Sequence, residues 1–512
     1  MRFRLIGHSC LFAETAAGSI LVDPWLSGSC YWRSWWHFPP TDLSDPELAA
    51  RVLDPDFIYL THHHFDHFHF PSMRRLPRDA QVLIARYSVD VMAGELQNLG
   101  FTRITELSHG EVTDLGHGVR VASYQYGIDD SCFVIDDGSQ VIVDVNDCKI
   151  RGRSLQQVLD TFGQPTFALK AHSFAQSYPV GYTADDPADL HLVDRQTFLD
   201  DFVRVMRHLR PRYAVPFGSM VGFLHPESRH VNDALVTPFD VRDHVEAVGG
   251  WEGGECVPML PGDEWDPDDG FTTSGVDWYG DRPARLAELA EVVRPKVEAA
   301  LEAEAERHVT WAAFEAYMLA FAHAMPPGVG RFLIDRPICF SVPTDEAHPY
   351  WNVSVRHRRV WRSVQPPPGR ADVIEVPEAI LHDAIRDDIL GVVHGGMRIH
   401  THLAAGGAPA DLAFWGMVAV KELGYLPSPW TKALAPGGPL LNKRMLAAAW
   451  RRRREVLDTV AAMFTAARSG RPVIEAVSEG FGTGEGRWAP GSGAREGEQA
   501  DSRGGQRGTT AA

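Results

Sequence analysis

Thr61-His62-His63-His64-Phe65-Asp66-His67-Phe68-His69 places five of the chain's 23 histidines within eight positions. At uniform density roughly 0.4 would fall there, so chance does not account for the run. The stretch follows directly on Phe57-Ile58-Tyr59-Leu60, a short apolar segment of strand-like composition. Neutral imidazole is a common metal ligand, and carboxylates join it at hydrolytic metal sites. Side chains repeat every second residue along an extended chain, so His62 and His64 share one side of the loop. Asp66 and His67 then turn toward a second position. One loop can thus serve two cations about 3.5–4 Å apart, with Asp66 also orienting the attacking water.

The pattern of a short apolar run ending in a polar loop repeats through the first half. Ser19-Ile20-Leu21-Val22 runs into Asp23-Pro24, and Gln81-Val82-Leu83-Ile84 follows the histidine loop. Cys132-Phe133-Val134-Ile135 and Gln140-Val141-Ile142-Val143 flank Asp136-Asp137-Gly138-Ser139, a hairpin signal. Helical stretches at 89–99 and 194–209 interleave with these runs, which predicts an α/β layered architecture.

From 241 to 281 the composition shifts to Gly, Pro, Asp and Trp, which reads as a connector between a first domain at 1–240 and a second at 282–475. The second domain is expected to be smaller and α+β. It has helical spacing at 284–308 interrupted by Pro295, and again at 311–324, 377–389 and 441–467. Strand-like runs lie at 338–342, 350–355 and 373–376. The final segment, 476–512, lacks apolar periodicity and is expected to be a disordered tail.

Forty-nine Lys and Arg against 67 Asp and Glu give a net charge of −18, which disfavours non-specific nucleic-acid binding. The six cysteines form no Cys-x-x-Cys pair, which argues against a disulfide framework and an all-cysteine zinc site. The opening Met1-Arg2-Phe3-Arg4 is too polar for a secretory leader, and no run of 18 apolar residues offers a membrane span. These features together predict a soluble, cytoplasmic protein, and the histidine loop makes it a candidate enzyme acting on a small molecule.

The pattern His62-x-His64-x-Asp66-His67, preceded by Leu21-Val22-Asp23-Pro24-Trp25, resembles the signature of the metallo-β-lactamase superfamily, and Gly7-His8-Ser9-Cys10 resembles the start of its lactonase-like branches. The resemblance implies an αββα sandwich with a dinuclear metal site at one sheet edge. A more specific similarity, to the CMP-N-acetylneuraminate hydroxylases, lies in 130–135, 141–148, 209–217 and His225-Pro226. It implies that Asp147 takes the metal-bridging carboxylate position. Two histidines usual in the superfamily are replaced here by Gly127-Ile128-Asp129-Asp130 and by Phe217-Gly218-Ser219. Asp129 or Asp130 stands in for the first. His225 or His172 stands in for the second, with His225 at the matching offset and His172 otherwise a candidate catalytic or substrate-facing residue.

The expected metal ligands are therefore His62, His64, Asp66, His67, Asp147, His225 and Asp130, holding two divalent ions. Zinc would serve a hydrolase of an ester, lactone, amide or phosphodiester. A carboxylate-rich set shifts preference toward iron, the choice of a hydroxylase. The chain has no Cys-x-His pairs for a Rieske centre, so an oxygenase would need a separate reductase. A non-catalytic module with a degenerate site is the third expectation.

Overall fold

A computed structural model describes residues 1–426 apart from 42, 88 and 90. The helix expected at 441–467 and the tail from 476 lie outside the described residues.

Two large sheets face each other. The first runs in the order Gly270–Thr272, Glu264–Asp266, Arg2–Gly7, Cys10–Thr15, Gly18–Val22, Phe57–Leu60, Gln81–Ala85, Ile104–Leu107. The second runs Glu255–Cys256, Tyr213–Pro216, Phe167–Lys170, Val141–Asn146, Asp130–Asp136, Val119–Tyr126, Thr113–Gly116. Alternation along each strand sorts the side chains between faces. Ile20, Val22 and Tyr59 point into the layer between the sheets and meet Phe133, Ile135, Ile142 and Leu169. Leu21, Ile58 and Leu60 point outward beneath the helices Pro46–Leu53 and Val91–Asn98. Cys132, Val134, Val143 and Val145 do the same beneath Gly152–Phe162, Arg195–Leu209 and Pro238–Ala247. Burial on both faces is why these strands read as unbroken apolar runs. At about 1.5–3 kcal/mol per fully buried large apolar side chain, this packing outweighs surface ion pairs of about 0–1 kcal/mol each. The result is an αββα sandwich.

In the first sheet Gly18–Val22, Phe57–Leu60 and Gln81–Ala85 are parallel, and in the second so are Val141–Asn146, Phe167–Lys170 and Tyr213–Pro216. Asp23, His62 and Asp147 follow the carboxyl ends of such strands, the place where α/β sheets bind ligands.

The segment 241–281 contributes structure of its own. Glu264–Asp266 pairs antiparallel with Arg2–Gly7, and Glu255–Cys256 pairs with Tyr213–Pro216. A third sheet, ordered Tyr182–Ala184, His400–Leu403, Asp372–Glu375, Ile338–Ser341, Tyr350–Ser354, Arg359–Ser363, packs against Trp311–Ala324, Glu378–Arg386 and Ala408–Glu422. Its edge strand Tyr182–Ala184 comes from the first half of the sequence and pairs in parallel with His400–Leu403. The helix Arg282–Glu304 runs unbroken through Pro295, where the sequence suggests an interruption. Leu286, Ala290, Val293 and Val297 form its buried face, while Glu291 and Pro295 are exposed, so water can satisfy the carbonyl that proline leaves unpaired. Among the described residues no helix is long and apolar enough to cross a membrane.

Candidate metal centre

The loop after Phe57–Leu60 is anchored by a carboxylate beneath it. Asp23 is fully buried and accepts from the Thr61 backbone N–H (2.8 Å), Thr61 Oγ1 (2.7 Å), Asn146 Nδ2 (2.8 Å) and His67 Nδ1 (2.7 Å). Donation from His67 Nδ1 to Asp23 fixes the ring's tautomer and leaves the lone pair on Nε2 facing inward. Thr61 Oγ1, its proton committed to Asp23, accepts from His62 Nδ1 at 3.0 Å, so His62 also turns Nε2 inward. Gly218, at φ +64°, backs this arrangement: a Cβ there would lie 2.6 Å from Asn146 Oδ1.

The inward atoms converge. His62 Nε2 lies 2.7 Å from His64 Nδ1 and 3.6 Å from Asp147 Oδ2. His67 Nε2 lies 3.2 Å from Asp66 Oδ2 and 3.8 Å from Asp147 Oδ2. His8 Nε2 lies 3.0 Å from Asp66 Oδ2. Among the described residues, two groups have ligand atoms all within 4.8 Å of one another: His62, His67 and Asp147, and His8, Asp66 and His67. His67 belongs to both.

Electrostatics matches this donor set. Burial drives the His62 pKa well below its ordinary value and keeps its lone pair free. Burial would raise Asp66, but the charge and hydrogen bond of His67, with His8, hold it well below the usual carboxylate range. Burial likewise opposes ionisation of Asp147, and His62, His67 and Lys149 outweigh it. Burial also opposes charge on His67, yet Asp66, Asp147 and Asp23 raise its pKa well above the ordinary value. The carboxylates thus favour positive charge at this position, which a bound cation would supply in place of a proton on Nε2. Asp147 Oδ1 is buried without a hydrogen-bond partner. Orphaned carboxylate oxygen beside inward imidazole nitrogens fits divalent metal.

The other expected residues sit at varying distance from this convergence. Asp130 starts the strand Asp130–Asp136 and Asp129 ends the turn before it, both within electrostatic reach of Asp147. Burial with Asp129 and Asp147 pushes Asp130 up to about 7, and burial with Asp147 pushes Asp129 to about 6. Tyr87 donates to the Asp130 carbonyl and Tyr425 to that of Ile128 at 2.6 Å, holding this loop. His172 is fully buried, with the Phe217 backbone and His8 among its neighbours, and burial lowers it to about 3. His225 Nδ1 accepts from the Glu227 backbone N–H at 3.3 Å and lies 3.9 Å from Glu227 Oε2, with Arg398 and Arg229 also among its charged neighbours.

Three contributors are not among the ligands expected from the sequence. His8 is a single histidine with no neighbouring cluster, and only the Gly7-His8-Ser9-Cys10 similarity draws attention to it. Asp23 lies in the Leu21-Val22-Asp23-Pro24-Trp25 part of the resemblance and shares with the histidine loop its place after an apolar strand, two signals that single it out. Tyr31, at 7% exposure, donates its hydroxyl to Asp66 Oδ1 at 2.6 Å. It begins a run of three left-handed residues, with φ of 50° at Tyr31, 51° at Trp32 and 64° at Arg33. Each costs about 1–2 kcal/mol, so surrounding contacts must hold the turn.

Residues 2–159 match the family model described as a beta-lactamase superfamily domain. A Mycobacterium tuberculosis protein with the provisional name Rieske 2Fe-2S iron-sulfur protein is 30% identical over 284 residues, 51% of this chain and 53% of that one. The cytidine monophosphate-N-acetylneuraminic acid hydroxylase of Danio rerio is 24% identical over 239 residues, 44% of this chain and 39% of that one. The chain therefore spans about half the length, or less, of these relatives. Among solved structures, the isothiocyanate hydrolase from Delia radicum gut bacteria is 16% identical with a TM-score of 0.38, over 52% of this chain and 99% of that one. The family match therefore falls on the amino-terminal part of the chain, the part that carries the histidine loop and Asp147.

Proposed function

We propose that this chain is a metal-dependent hydrolase that holds two divalent cations and acts on an ester, lactone, amide or phosphodiester. The observation that carries the reading is the convergence of both groups on His67, with the Asp66 and Asp147 carboxylates kept ionised beside buried neutral His62. In this reading His62, His64 and Asp147 hold one cation, and His8, Asp66 and His67 the other. The set keeps five of the seven sequence-based ligands, adds His8 and leaves out His225 and Asp130. When bound, the cation pair supplies Lewis acidity that makes water a nucleophile near neutral pH and polarises the electrophilic oxygen.

The chain's own residues prepare that chemistry. Asp23 and Thr61 lock the tautomers of His67 and His62, so both present lone pairs rather than N–H groups. Asp66, ionised and held at Oδ1 by Tyr31, leaves Oδ2 to face the cation and orient the water beside it. Hydrolysis needs only substrate and water beyond this site, whereas oxygenation would need electrons from outside the chain.

A second reading, an iron oxygenase served by a separate reductase, is favoured by the Asp129 and Asp130 carboxylates beside Asp147 and by the names of the two relatives. One assay separates the readings. Zinc-loaded protein should cleave members of an ester, lactone and phosphodiester panel, lose activity with a chelator and regain it with zinc. Reductant-dependent dioxygen uptake by the iron-loaded form, with no hydrolysis by either form, would overturn the hydrolase reading.

A further inference from the structure

The Tyr31–Arg33 turn joins the metal centre to the carboxyl-terminal half of the chain. On one side Tyr31 reaches Asp66 Oδ1 at 2.6 Å, while Asp66 Oδ2 faces His8 and His67. The two carboxylate oxygens therefore have different work: one is capped by a phenol and the other faces the inward nitrogens. On the other side Arg398 donates to the Trp32 carbonyl at 2.9 Å. Arg398, 1% exposed at its side chain, is fixed by two parallel bonds to Glu304, at 2.9 and 2.6 Å, and one to Glu227 at 2.8 Å. Trp35 Nε1 donates to the Gly395 carbonyl at 2.8 Å, and a Cβ on Gly396 would lie 3.5 Å from the Trp32 ring. Left-handed backbone at three non-glycine residues persists only where neighbours over-determine it, and here residues 395–398 supply those neighbours.

We propose that Tyr31 is a positioning residue for Asp66, holding Oδ1 so that Oδ2 alone faces the cations, and that residues 395–398 set the turn that delivers it. The proposal rests on the metal-centre reading above. A carboxylate with one oxygen capped binds through the other. Once released, it can rotate or chelate through both, which alters the ligand field and weakens a site built for the first mode. The carboxyl-terminal half thus acts on the centre through Tyr31 without supplying a ligand.

The test is titration of the metal-free full chain with cobalt(II), read by visible absorption. Tyr31→Phe keeps the ring against Trp35 and Phe65 and loses only the hydroxyl. It should still fold, melting somewhat lower without metal because Asp66 Oδ1 loses its partner, take up cobalt with a shifted band, and bind it about 10-fold or more weakly. Arg398→Lys, which loses the planar fork but keeps Tyr31, should shift the band in the same direction. Should Arg398→Lys not fold, Trp35→Phe, which drops the bond to Gly395, is read the same way. A Tyr31→Phe band and affinity matching wild type would overturn the positioning role. Altered Tyr31→Phe with unaltered clamp variants would overturn the part assigned to residues 395–398. If wild type itself takes up no cobalt, the metal-centre reading falls and this inference with it.

Discussion

Asp23→Asn is the sharpest probe of how the histidine loop is held. The change is isosteric, and Asp23 sits at φ 43°, a left-handed conformation that asparagine also tolerates, so the backbone is spared. What changes is the acceptor. Oδ2 now takes His67 Nδ1, Thr61 Oγ1 and Asn146 Nδ2, and Oδ1 takes the Thr61 N–H. An amide has one acceptor oxygen, so its NH2 must confront at least one of these four buried donors. Stability of the metal-free protein should fall by about 1–3 kcal/mol, the cost of an unsatisfied buried polar group. Loss of the carboxylate also removes what fixes and enriches His67, and outer-shell changes of this kind typically weaken metal binding about 10–100-fold. Competitive titration against a chromophoric chelator measures the affinity, and thermal melting of the metal-free form measures the stability. Affinity within two-fold of wild type, alongside the expected loss of stability, would show that Asp23 supports the fold and does not tune the centre.

Other outcomes follow from the same geometry. Gly218→Ala should displace Asn146, since the new Cβ would sit 2.6 Å from Asn146 Oδ1 at a strained φ, and chelator competition should show metal affinity falling in the same direction as for Asp23→Asn. Asp411 is fully buried, and burial pushes its pKa from 3.8 to about 7 while Tyr182 donates to it at 2.7 Å. The folded protein therefore holds this proton more tightly than the unfolded chain. Its contribution is complete below about pH 4 and is lost as pH rises through 7. Asp411→Asn should lose less stability between pH 5 and pH 8 than wild type, by on the order of 2–3 kcal/mol, in denaturant titrations; parallel losses would refute the assignment.

The sandwich was legible because its parallel strands are buried on both faces and so stand out as apolar runs, and because a dense histidine cluster directly after Phe57–Leu60 marks the strand-end loop of a metal site. His62, His64, Asp66 and His67 are local in sequence, so a single loop reveals them. His8 and Tyr31 are not: each meets Asp66 only after the chain has folded back across 58 and 35 residues. Strands of two or three residues, such as Glu255–Cys256 and Glu264–Asp266, carry too little periodicity to show through a Gly- and Pro-rich composition. Tyr182–Ala184 was illegible because its partner His400–Leu403 lies more than 200 residues on. Pro295 misled because a helix break is costly only where the freed carbonyl is buried, and here it faces water.

The central claim is that one buried convergence of imidazoles and carboxylates holds two cations, and metal stoichiometry tests it most directly. Elemental analysis of the full chain, loaded with zinc or iron and freed of loosely bound ions, should give two metals per chain for wild type and lose most of them in His64→Ala. Less than one metal per chain in wild type, or unchanged content in His64→Ala, would contradict it.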